Sequence, residues 1–173
     1  MNKFIPVNEP DLSGNEKKYL QECIDTGWIS SEGPFIEKLE SGMASVCKRK
    51  HAFAVSSGSA ALELGVQAVG IGRGDEVIMP TFTIISCALA IDRAGATPVY
   101  VDADPHTWNM KVEDIEPLIT EHTKAIMAVH IFGQACHIDE IKELCKKNKL
   151  FLIEDCAESL GSTYKGKKIG YAG

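Results

Sequence analysis

The chain has 173 residues, 45% of them hydrophobic, which suits one domain with a sizeable core and excludes a disordered or fibrous chain. Acidic residues outnumber basic ones, 24 to 18, for a net charge of −6, so the basic excess of a general nucleic-acid binder is missing. No apolar run reaches the roughly 20 residues that span a bilayer, and six cysteines without a Cys-x-x-Cys pair, behind an opening Met1-Asn2-Lys3-Phe4-Ile5-Pro6 that is not leader-like, point to reduced thiols in a cytoplasmic protein.

In chain order, Ser13-Gly14-Asn15-Glu16 reads as a capping box, with Ser13 as cap, and predicts a helix over about 14–25. Gly33-Pro34 starts a second helix that runs to about residue 46, with Pro34 at its first position. These two form an N-terminal helical arm, residues 1–48, ahead of a repeating pattern that fills 49–173. Short apolar strands are predicted at 52–55, 76–79, 98–101, 125–129 and 150–153, with helices at 59–69, 84–93 and 138–147 between them. That alternation predicts an α/β fold of three layers built on a largely parallel sheet. Gly70-Ile71-Gly72-Arg73-Gly74-Asp75 follows a helix and precedes a strand, the reverse of a dinucleotide loop, and reads as a helix stop and turn. His130, Cys136 and His137 lack a second pair at zinc-like spacing, so no metal is expected.

The chemistry gathers at the strands' carboxyl ends, where open α/β sheets bind ligands. Ser57-Gly58-Ser59-Ala60 has the strand, small-residue turn, helix order that suits an anion: helix-start amides point outward, and Ser57 and Ser59 add hydroxyls, although either serine could simply cap the helix. After the second strand, Phe82 or Ile84 offers an apolar cover for a flat ligand. His130, after the fourth, either orients a ligand or satisfies a buried hydrogen bond. The run Leu150-Phe151-Leu152-Ile153-Glu154-Asp155 delivers Asp155 as a partner for a cation, a helix cap or half of a structural ion pair. Phosphate donors, an apolar cover and a carboxylate together describe a phosphorylated aromatic cation, and pyridoxal 5′-phosphate fits.

Four motifs make a family resemblance specific: Gly74-Asp75-Glu76-Val77-Ile78-Met79-Pro80-Thr81-Phe82-Thr83, Gly95-Ala96-Thr97-Pro98-Val99, Val129-His130-Ile131-Phe132-Gly133-Gln134 and Glu154-Asp155-Cys156-Ala157-Glu158-Ser159-Leu160-Gly161-Ser162. In order and spacing they resemble the DegT/DnrJ/EryC1/StrS sugar aminotransferases, from about Ile5 to the end of the chain. The resemblance implies the large domain of a fold type I pyridoxal phosphate enzyme, with Gly58, Ser59 and Ala60 at the phosphate and Asp155 at the pyridine nitrogen. It implies Glu158, where many relatives carry Gln or His, near the ring hydroxyl or the reacting face, and an aliphatic contact from Ile84 where an aromatic ring normally stacks.

The implied reaction is transfer of an amino group from glutamate to the 4-keto carbon of a nucleotide-linked 6-deoxy sugar, in a homodimer with sites built across the interface. The family's cofactor-linking lysine falls beyond Gly173. Lys165, Lys167 and Lys168 belong to a predicted hairpin and are not candidates for it, so the chain reads as an N-terminal fragment or one half of a split protein. Two further strands are then expected between 52–55 and 125–129, which would leave exposed inner edges without them. The alternatives are a related 3-dehydratase, decided by the residue replacing that lysine, and a non-catalytic sugar-nucleotide or partner-binding module.

Overall fold

The structure, a computed structural model, describes residues 4–6 and 9–173. Residues 1–3, part of the opening stretch on which the leader expectation rests, and residues 7–8 lie outside the described residues. Four strands, β1 (Glu76–Pro80), β2 (Thr97–Val101), β3 (Thr123–Val129) and β4 (Phe151–Asp155), form one parallel sheet in the order β2-β1-β3-β4. Every residue of β3 except Lys124 is buried, the continuous apolar burial that a strand covered on both faces requires.

Three α-helices complete the layers. α3 (Gly58–Ala68) and α4 (Ile85–Arg93) cover one face, where Val66, Cys87 and Ile91 pack on Val77, Met79 and Met127. α5 (Ile138–Asn148) and a pair of short 3-10 turns cover the other, where Ile138, Ile141 and Ile115 meet Ile78, Ile126 and Ala128. Alternate residues of each strand feed the two cores, as the pleat demands. From β1 the chain steps through α4 to β2 on one side, then returns to lay β3 and β4 on the other. That reversal opens a crevice at the carboxyl ends of β1 and β3, the place where such sheets take ligands.

Ahead of this unit, α1 (Glu16–Thr26) and α2 (Pro34–Val46) bury no residue and touch each other through the Tyr19 and Phe35 rings, 5.2 Å apart. Pro34 opens α2 as expected, but the capping box at Ser13 does not form. Asn15 is the cap, without a side-chain hydrogen bond, while the Ser13 amide donates to Asp11 Oδ1 at 3.0 Å. Past α3, Gly70 takes φ +74° and the Gly72 amide donates to Asp75 Oδ2 at 3.0 Å, which makes this glycine-rich run the expected turn. α5 runs through Asn148 and stops at Lys149, whose φ of +57° is left-handed.

The predicted strand at 52–55 is a correction: these residues join no sheet, and the Ala54 amide donates to a side chain, Glu40 Oε1, at 2.8 Å. A groove of about 490 Å³ separates them from β4, lined by Cys47, Ala52, Val69, Leu152 and Ile153. The expected unpaired edge also moves: β3 lies between β1 and β4, so the free edge facing this groove belongs to β4. A two-stranded hairpin, β5 (Thr163–Tyr164) and β6 (Lys167–Lys168), follows. No helix among the described residues is long and apolar enough to cross a membrane.

Ile126 is fully buried in the central pair of strands, so Ile126→Ala should cost about 2–5 kcal/mol in urea unfolding. Ile29→Ala, on a side chain 80% exposed, should stay within about 0.5 kcal/mol of the parent.

Candidate functional site

Asp155 is the last residue of β4 and its carboxylate is held from two sides. Oδ1 accepts the Ala157 amide at 3.0 Å, and Oδ2 accepts the Cys87 thiol at 3.4 Å. Cys87 lies in the first turn of α4, fully buried, with its sulfur 3.3 Å from Thr83 Oγ1. Burial pushes the thiol up to about 11; the Thr83 hydrogen bond opposes this and the Asp155 charge adds to it, so Cys87 remains a protonated donor at neutral pH. Asp155 opens onto a cavity of about 190 Å³ lined also by Thr83, Ile84, Val129, Ile131 and Glu158. Ile84 caps α4 in an extended conformation that leaves its side chain 60% exposed at this cavity.

A second group of donors begins α3. Ser57 is the N-cap, in extended backbone, and its hydroxyl accepts the Ala60 amide at 3.2 Å, so the capping role is filled by Ser57 and not by Ser59. The amides of Gly58 and Ser59, one and two residues into the helix, have no intrahelical carbonyl within reach and present donors at the positive end of the dipole. Ser59 Oγ lies 2.9 Å from Ser86 Oγ. Because Ser86 and Cys87 are consecutive, the first turn of α4 ties the start of α3 to Asp155.

Glu158 faces the same cavity, where its Oε2 accepts the Phe132 amide at 2.8 Å. Phe132 has φ +50° and Gly133 φ +83°, a reversal that Asn109 also pins, taking the Ile131 amide on Oδ1 at 3.0 Å and donating to the Gln134 carbonyl at 3.2 Å. The turn sets the Phe132 ring 6.2 Å from Phe82, which is 5.1 Å from Trp108. These three exposed rings line the carboxyl ends of β1, β2 and β3.

His130 is the one expected residue that the structure keeps away from this cluster. It is fully buried on the α5 side of the sheet, its Nδ1 accepting the Cys136 amide at 3.0 Å, which leaves Nε2 to donate to Glu154 Oε2 at 3.3 Å. Glu154 also accepts the amides of Gly170 at 3.3 Å, Ala172 at 2.7 Å and Gly173 at 2.5 Å. The buried hydrogen bond, one of the two roles left open for His130, is present. His130, Glu154 and Cys156 bring ligand-type atoms within 4.8 Å of one another, but N–H donors already occupy both Glu154 oxygens.

The hairpin lysines also lie apart. Lys165 pairs with Asp139 at 2.8 Å, which holds it above the ordinary lysine value, and Lys168 donates to the Gly161 carbonyl at 2.7 Å. Sequence reasoning missed Ser86, Cys87 and the pairing of Phe132 with Glu158. The spacing of Thr83 and Cys87, four apart across a helix start, was the signal for the Cys87 contact.

Residues 10–173 match the model of the DegT/DnrJ/EryC1/StrS aminotransferase family. The GDP-perosamine synthase of Escherichia coli O157:H7 is 52% identical over 99% of this chain, which covers 47% of that protein. Among solved structures, an aminotransferase from Psychrobacter cryohalolentis superposes with a TM-score of 0.88 at 35% identity, over 93% of this chain and 41% of its own. NtdA from Bacillus subtilis, with bound cofactor PMP, gives 0.80 at 33% identity, over 87% and 34%. The chain thus spans about half the length, or less, of these relatives.

The Glu154 side chain is only 4% exposed. Burial works to raise its pKa, but the hydrogen bond from His130 and the amides of Gly173 and Ala172 outweigh it and hold the carboxyl below the ordinary glutamate value of 4.5. Its stabilising contribution is therefore complete above pH 4.5 and is lost as pH falls through the lower folded value. Glu154→Gln should unfold at lower urea near neutral pH, and its midpoint should fall less steeply than the parent's below pH 4.5.

Proposed function

The chain belongs to the DegT/DnrJ/EryC1/StrS aminotransferase family, and from that membership we propose that it is part of a pyridoxal phosphate enzyme that moves an amino group from glutamate to the 4-keto carbon of a nucleotide-linked 6-deoxy sugar. The observation that carries the reading is the joined pair of anchors: free first-turn amides at Gly58 and Ser59, and the Asp155 carboxylate, connected through one turn of α4. The residues present fit the cofactor, because a phosphate needs N–H donors, a protonated pyridine nitrogen needs a carboxylate, and the flat ring needs an apolar surface such as Ile84.

When bound, pyridoxal phosphate supplies an electron sink for the carbon that gains or loses the amino group. In this reading the Gly58 and Ser59 amides bind the phosphate end, while the Ala60 amide, also expected there, is engaged by the Ser57 hydroxyl that caps the helix. Asp155 holds the proton on the ring nitrogen, and Ile84 packs on a ring face. Glu158 Oε2 is engaged by Phe132, which leaves Oε1 to meet the ring hydroxyl or the reacting face. Phe82, Trp108 and Phe132 offer aromatic surface for the nucleobase. Trp28-Ile29-Ser30-Ser31 and Glu158 resemble the perosamine synthase branch, which favours a guanosine diphosphate sugar.

Among the described residues no lysine lines the Asp155 cavity, and in this reading proton transfer at the substrate carbon belongs to a lysine of the longer enzyme. The arm of residues 1–48, with Leu20, Ile24 and Ile29 exposed, is assigned to contact with a second copy or with the remainder of the enzyme.

The pure 173-residue chain mixed with pyridoxal phosphate should show no visible absorbance band that borohydride abolishes; such a band would overturn the placing of the linking lysine outside it. In the full-length enzyme, Asp155→Asn should cut turnover by about two orders of magnitude, the scale on which a preorganised charge partner acts. Unchanged turnover would refute the role given to Asp155.

A further inference from the structure

Two consecutive residues do a task that nothing in the reaction requires of them by chemistry. Neighbours on a helix do not share a face, so Ser86 and Cys87 diverge from the first turn of α4. Ser86 Oγ reaches Ser59 Oγ at 2.9 Å in the first turn of α3, and Cys87 Sγ reaches Asp155 Oδ2 at 3.4 Å at the end of β4. The thiol has a single proton, which goes to Asp155, so the Thr83 hydroxyl 3.3 Å away donates to the sulfur. Asp155 is thereby fixed in plane: the Ala157 amide holds Oδ1 and the thiol holds Oδ2.

We propose that Ser86 and Cys87 are positioning residues that set the separation between the phosphate end and the ring end of the site. The proposal rests on the cofactor reading above and adds to it two residues whose hydrogen bonds go to Ser59 and Asp155. Removing the thiol frees the carboxylate to turn about its Cβ–Cγ bond, which weakens the partner of the protonated ring nitrogen. Removing the Ser86 hydroxyl loosens the start of α3 and leaves Asp155 in place. The two ends therefore respond separately to the two substitutions.

The test uses the 173-residue chain with pyridoxamine 5′-phosphate and with pyridoxamine, neither of which needs a lysine to bind. Affinity is read by calorimetry, and the protonation of the bound ring nitrogen by absorbance against pH. Cys87→Ala should weaken both ligands by about three- to tenfold, the range of one lost hydrogen bond, and lower the pH midpoint at which the bound ring nitrogen loses its proton. Cys87→Ser, which keeps a donor, should recover the parent midpoint. Ser86→Ala should weaken the phosphate-bearing ligand alone. Parent-like binding and midpoint in Cys87→Ala would overturn the proposal, as would equal losses in the Ala and Ser variants with no change of midpoint, which is the mark of a packing residue. A parent chain that binds neither ligand would instead overturn the cofactor reading, and the proposal with it.

Discussion

The pleat of β4 sends two adjacent carboxylates to opposite faces of the sheet, and the arrangement of the molecule depends on that separation. Glu154 turns toward the α5 side, where His130 and three backbone amides saturate it. Asp155 turns toward α4, where only one amide and one thiol hold it and a cavity lies open beside it. A buried carboxylate without donors would be costly, and four N–H groups remove that cost for Glu154. Asp155 keeps acceptor capacity free at a surface a ligand can reach. One residue's shift in the β3–β4 register would bring Asp155 to the α5 side or Glu154 to the α4 side, and either way one of the two positions would lose its carboxylate.

α4 is the second dependence. The residues that precede it, Thr83 and Ile84, line the cavity, and those of its first turn, Ser86 and Cys87, contact α3 and β4. The rest of the helix is anchored by Cys87, Ala90 and Ile91 in the apolar layer shared with Val66 and Met79. Packing of that layer thus reaches the site directly, through hydrogen bonds one residue removed from buried side chains. On the far rim the turn after β3 works in the same way: buried Asn109 fixes the reversal that presents Phe132 to Glu158 and to the other two rings.

Much of this was legible in the sequence, because strand periodicity and motif order are local properties. The apolar run ending in Asp155, the small-residue start of α3 and Pro34 at the head of α2 each declare themselves over a few residues. Pairing does not. Residues 52–55 have the composition of a strand but no strand neighbour, so their amides are left to partners such as Glu40. Ser13 and Glu16 have the spacing of a capping box, yet the helix starts at Glu16 itself, too late for Glu16 to reach back to the cap. His130 sits in a site motif, and only three-dimensional placement reveals that its ring faces the opposite layer from Asp155. The Ser59–Ser86 contact joins residues 27 apart in sequence, which composition and spacing do not encode.

The unpaired segment before α3 has a mechanical consequence. A strand paired into the sheet ahead of α3 would fix where that helix begins, but here 52–55 carries no ladder hydrogen bonds. The start of α3 is held instead by its cap at Ser57, by packing against α4 and by the Ser59–Ser86 pair. Asp155, by contrast, ends a strand paired over its whole length with β3, the most buried strand of the sheet. Local opening is easiest where few buried contacts and few backbone hydrogen bonds must break. Asp155 therefore rests on more backbone hydrogen bonds than the start of α3 does. A single turn of α4 connects them, so the contacts of Ser86 and Cys87 weigh more than their individual strength suggests.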